Sequence, residues 1–127
     1  MQADVDGHQR KVVTSRVRPA RAAHGDDGIP LRRGHTLPFV VERAWNAPMG
    51  HYPEQFFIVD PGTREVLYAS PLVERAIWGL QSLTEVADEV STPIELAPGN
   101  YLVVFALGGV KGGEIDVEAT EVEDAAA

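Results

Sequence analysis

Two stretches of this chain are apolar on both faces of a period-two pattern, and no other feature narrows the fold so far. Phe56-Phe57-Ile58-Val59 and Tyr101-Leu102-Val103-Val104-Phe105-Ala106-Leu107 are dense in aromatic and β-branched residues. Such runs suit a pleated sheet and are too short for a buried helix. The same character extends along most of the chain after residue 36. Leu37–Ala44 reads as a strand, as does Leu72–Trp78. Gly112–Ala119 alternates strictly, with Glu114, Asp116 and Glu118 on one face and Ile115, Val117 and Ala119 on the other.

Turn chemistry punctuates these runs. Asp60-Pro61-Gly62-Thr63 separates Gln55–Asp60 from Arg64–Ala69. Pro presets the first central turn position and Gly supplies positive φ at the second, so the pattern predicts a type II hairpin. Ala97-Pro98-Gly99-Asn100 repeats the device between Pro93–Leu96 and Tyr101–Leu107. The Leu96–Tyr101 stretch resembles hairpins of many β-sandwich modules, which bears on fold and not on function. The four glycines of Gly108-Gly109-Val110-Lys111-Gly112-Gly113 suit a hairpin tip. They are not a phosphate loop, which needs Ser or Thr after Gly-Lys and a helix behind it. The fold class predicted is all-β, an antiparallel β-sandwich of six or seven strands with Pro-Gly hairpin turns. One segment departs from it: Ser82-Leu83-Thr84-Glu85 is a capping-box pattern, and Leu83, Val86, Ala87 and Val90 share a helical face. This predicts a short helix near 83–90, against a strand that would align Thr84, Val86, Asp88 and Val90.

Charge divides the chain. Residues 1–36 carry a net +3 and residues 37–127 a net −11, within an overall −8. The reading is a basic, Pro/Gly-containing N-terminal arm at 1–36, a sandwich body at 37–120 and an acidic, Ala-rich tail at 121–127. Inside the arm, Gln9–Val17 has the β-branched content of an extended segment, and 18–28 reads as linker. Arg10, Lys11, Arg16, Arg18 and Arg21 form its cationic stretch without an intervening acid. They suit an acidic protein surface, of a sibling or of another partner. Nucleic acid is disfavoured for the arm, which interleaves no aromatic for base stacking, and is unlikely for so acidic a body.

Chemistry is sparse. With no cysteine in the chain, disulfides, thiolate nucleophiles and cysteine-ligated zinc are excluded. His8, His24, His35 and His51 stand at no metal-binding spacing, and Asp4-Val5-Asp6-Gly7 lacks the rest of a calcium loop. No serine lies in a nucleophile motif. No catalytic residue, metal or cofactor is expected, and the chain is read as not an enzyme; a composite acidic site would be the enzymatic exception. Neither a signal peptide nor a membrane-spanning stretch is expected, which points to the cytoplasm or a soluble assembly such as a virion.

The residues that remain suggest contact surfaces. Trp45, His51 and Tyr52 sit in a Pro-stiffened segment, 45–53, that forms a candidate recognition loop. Phe56, Phe57, Tyr101 and Phe105 lie on the doubly apolar strands, whose outer face a lone two-layer domain would leave wet. They are candidate interface residues. The function predicted is a non-enzymatic structural or interaction subunit, such as a shell or capsid-decoration component, docking through its arm and its apolar strand faces. The alternative is a small-ligand or carbohydrate-binding sandwich using the loop at 45–53.

Overall fold

The computed structural model describes residues 9–122, and these form ten strands. In chain order they are β1 (Lys11–Pro19), β2 (Ile29–Arg32), β3 (His35–Thr36), β4 (Phe39–Asn46) and β5 (Gly50–Val59), then β6 (Val66–Ala69), β7 (Val73–Ile77), β8 (Thr84–Val90), β9 (Gly99–Leu107) and β10 (Val110–Glu121). One sheet has the order β1-β4-β8. The other runs β3-β2-β10-β9-β5-β6, and β7 continues along the edge of β5 beyond β6. Pairing is antiparallel except between β2 and β10, which run parallel. The links β4–β5 and β8–β9 pass from one sheet to the other, which is the Greek-key wiring of an immunoglobulin-type sandwich. The core lies between the sheets, with Phe39, Val41 and Trp45 of β4 facing Phe56, Ile58, Val103 and Phe105 of β5 and β9.

The all-β class is the one the periodicity predicts, and several elements differ in detail. Residues 83–90 form no helix. Thr84–Val90 is strand β8, paired with β4 from Trp45 to Phe39, with Thr84 and Val90 buried. Pairing seven residues to a strand already committed outweighs one local capping pattern.

Nor do residues 11–36 form a separate arm. β1 pairs with β4 along its whole length, Val17 is buried in the core, and β2 supplies buried Ile29 and Leu31. The linker-like stretch is a crossover between sheets, with a 3₁₀ turn at Ala22–His24. At its end Gly28 packs so tightly that a side chain there would meet the Glu118 carbonyl oxygen at 2.6 Å. The break in charge at residue 36 is therefore not a break in structure. The acidic tail begins inside the body too, since the Glu121 carboxylate accepts hydrogen bonds from the backbone N–H of Arg33 and Gly34 (3.0 and 2.8 Å). Asp4–Gly7, His8 and residues 123–127 fall outside the described residues.

The turns also differ. In Asp60-Pro61-Gly62-Thr63 the Asp60 carboxylate accepts the N–H of Gly62 and of Thr63 (2.8 and 3.0 Å), and positive φ falls on Arg64, not on Gly62. Those two backbone hydrogen bonds hold the Asp60 carboxyl below the usual range. Pro93–Leu96 is no strand; it contributes a single bridge, His35 to Glu95. Ala97–Asn100 is thus a corner between sheets, where the Tyr101 hydroxyl donates to the Ala97 carbonyl at 2.6 Å. This is the tyrosine corner of immunoglobulin-type folds. The Gly108-Gly109 tip is a two-residue hairpin with positive φ at both positions, as glycine permits.

Candidate functional site

The apolar strands do not leave a wet outer face. Phe56, Tyr101 and Phe105 point into the core and are buried. Phe57 points outward and is half-buried, while outward-facing Val59 and Leu102 are buried between their neighbours. Bulges in β6 and β10 curl this sheet, and Arg64 reaches past β5 and β9 to Glu114 on β10 (3.8 Å). The outward residues of these strands are thus buried or half-buried within the chain itself, Phe57, Val104 and Ala106 being half-buried.

The predicted recognition loop dissolves in the same way. Trp45 is fully buried under the β9–β10 hairpin, where any side chain on Gly112 would collide with its ring, and its indole N–H donates to Glu54. Tyr52 belongs to β5. Its hydroxyl donates to the Pro48 carbonyl, and the Arg10 guanidinium stacks 4.7 Å from its ring centroid. His51 stays at the surface, 4.0 Å from Glu74. The cations of the predicted arm are likewise parts of the body. Arg10 caps the Leu107 carbonyl, Arg16 pairs with Asp27 (2.7 Å) and Arg18 with Glu42 (3.1 Å). Lys11 and Arg21 are exposed.

Two features emerge that the sequence reading missed. The first is a buried charge network at the open edge of the sandwich. Arg43 on β4 and Glu54 on β5 form a bidentate pair, 2.7 and 2.6 Å, with both side chains essentially out of solvent. Arg75 of β7 donates to Glu54 (3.0 Å) and to Asp88 of β8 (2.7 Å), and Arg43 also reaches Asp88 (2.8 Å). The Arg43 guanidinium lies over the rings of Phe56 and Phe105. Two cations and two anions cancel, and each Glu54 oxygen accepts two hydrogen bonds. Burial pushes the Asp88 carboxyl upward, but the hydrogen bonds and charges of Arg75 and Arg43 outweigh it and hold the pKa below normal. An acid held ionised in this way is a poor proton donor at neutral pH. The slot beside it, walled by Tyr68, Ser70, Val73 and Val90, holds about 130 Å³. That is well below the roughly 300 Å³ at which small-molecule pockets begin. The network joins the two sheets and offers little to a substrate. Among the described residues no group of three histidines, aspartates or glutamates is placed to hold a metal ion.

The second feature is an apolar rim. The β4–β5 and β7–β8 loops lie side by side: the Asn46 amide donates to the Leu80 carbonyl, and Gly79 sits against Met49. Met49 is 77% exposed and Trp78 70%, with Leu80 and Leu83 beside them at 42% and 44%. The sequence signal was present: Trp78 closes a strand immediately before a Gly-containing loop, where no alternation buries it.

No protein-family model and no curated protein matches the sequence. Solved structures do match in fold. An alkylpurine DNA glycosylase, AlkC, of Pseudomonas fluorescens, bound to DNA containing an abasic-site analogue, is 14% identical with a TM-score of 0.60. That match covers 88% of this chain and 30% of the glycosylase. A β-glucosidase of Listeria innocua in complex with laminaribiose is 12% identical with a TM-score of 0.50, over 84% of this chain and 16% of that one. The chain thus spans less than a third of either protein, and the likeness is one of fold alone.

Proposed function

We propose that this chain is a non-enzymatic interaction module, a sandwich that docks onto a protein partner within a larger assembly. The observation that carries this reading is the rim, where Trp78 and Met49 stand 70% and 77% exposed on adjacent loops. Large apolar side chains clustered at one end of a domain that has buried its other apolar strands are what a protein interface uses. Covering each one contributes roughly 1.5–3 kcal/mol. In both fold relatives the matched part is a minor share of a longer chain, which supports a module serving something larger. The carbohydrate reading has lost Trp45 to the core and Tyr52 to Arg10 and Pro48, and retains only His51 at the surface. The setting on this reading is the cytoplasm or a soluble assembly such as a virion; among the described residues no helix is long and apolar enough to cross a membrane.

The test is native size fractionation of the wild type and of a Met49→Ser/Trp78→Ser double variant from the source cells. The wild type is expected in a fraction larger than the chain alone. The double variant is expected to leave that fraction while keeping its unfolding free energy to within about 0.5 kcal/mol, as for ordinary surface changes. Co-fractionation of the double variant with the wild type would overturn the reading.

A further inference from the structure

We infer that the outer face of the β1-β4-β8 sheet is a self-association surface whose occupant is a second copy of this chain. Cross-strand register places three rows on that face. Arg18, Val40 and Glu89 form one; Arg16, Glu42 and Ala87 the next; Thr14, Ala44 and Glu85 the third. Cations therefore line β1 and acids line β8, with Val40, Glu42 and Ala44 of β4 between them. Ala44 and Ala87 leave an open depression of about 550 Å³, bounded by Arg16, Glu42, Leu83 and Glu85.

Symmetry decides how two such faces meet. A two-fold axis across the strands would lay β1 on β1 and set arginine against arginine. A two-fold axis along β4 lays β1 of each copy over β8 of the other. Arg18 then faces Glu89 of the second copy, and Arg16 lies over its Ala87, between Glu85 and Glu89. The same contacts form twice, and the two Glu42 carboxylates, which meet near the axis, are each held by Arg18 of their own copy at 3.1 Å. Arg16 and Arg18 already pair with Asp27 and Glu42, but their side chains are 52% and 34% exposed. Each guanidinium has N–H groups left for a second acceptor. Sheets pack face to face at about 10 Å, a spacing that Ala44 and Ala87 leave open beside Glu42.

This inference rests on the interaction-module reading and names one partner for a surface separate from the apolar rim. The experiment is sedimentation equilibrium of the full chain at about 0.1 M and about 1 M salt, between which the Debye length falls from about 10 to about 3 Å. A dimer is expected at low salt and weakening at high salt. Glu89→Arg alone and Arg18→Glu alone are each expected to raise the dimer dissociation constant at least about tenfold, and the charge-swapped double variant to restore it. Ala87→Arg, at an exposed position on β8, is expected to give monomer. A monomer at both salt concentrations overturns the inference, as does a dimer indifferent to Ala87→Arg, or a swap without rescue. A salt-insensitive dimer abolished by Met49→Ser/Trp78→Ser would also overturn it, while leaving the docking role of the rim intact.

Discussion

Arg43 is where the energetics of this molecule concentrate. It occupies the inward series Phe39, Val41, Arg43, Trp45, and Glu54 opens the equivalent series Glu54, Phe56, Ile58. A charged residue in an otherwise apolar inward series was legible in the sequence, but its partner eleven positions away was not. Only the pairing of two different sheets brings the two together. Removing one member of a buried ion pair strands the other, so Arg43→Ala is expected to lower the unfolding free energy by about 3–5 kcal/mol in urea titration. Replacing the members together by apolar groups of similar volume would cost far less. Asp88 sets the pH response. Its carboxyl sits below the ordinary value in the folded chain, so its contribution to stability is complete above the unfolded value of about 3.9. That contribution is lost as pH falls through the lower folded value. Acid unfolding followed by circular dichroism is expected to show a shallower loss of stability below about pH 4 in Asp88→Asn than in the wild type.

Among the elements, β8 and the corner at Ala97–Tyr101 show how far local pattern reaches. Ser82–Glu85 offers a capping box, and a helix over 83–90 would bury Leu83. In the sandwich Leu83 is exposed, and β8 instead buries Thr84 and Val90 against β4. Tertiary pairing overrode a capping pattern that is worth about 1 kcal/mol. Pro98-Gly99 was read as a hairpin turn, and it is a crossing between sheets instead, because a turn motif does not say which sheet receives the next strand. The Tyr101 hydroxyl fixes that crossing. Tyr101→Phe keeps the ring and loses the bond to Ala97, so it is expected to cost about 1 kcal/mol in chemical denaturation with no change in native size. A stabilised or unaffected variant would mean that the corner is held by other contacts.

Taken as one molecule, the chain builds its sandwich from residues on both sides of the break in its charge distribution. Val12, Val13 and Val17 marked 9–17 as extended, yet the run of cations around them argued for an arm. The pairing of Lys11–Pro19 with β4 shows that those cations decorate a strand and do not make a tether. Deleting residues 1–19 is therefore expected to abolish cooperative thermal unfolding, where removal of a true arm would leave it unchanged. The apolar strands, for their part, keep their outward residues buried or half-buried, so docking falls chiefly to the far more exposed rim of Met49 and Trp78. The most direct measurement is site-specific photocrosslinking in the source cells, with a photoreactive residue at position 78 and a control at exposed Glu118. A discrete protein adduct is expected from 78 that the control does not give. No adduct from 78, or the same products from both positions, would contradict it.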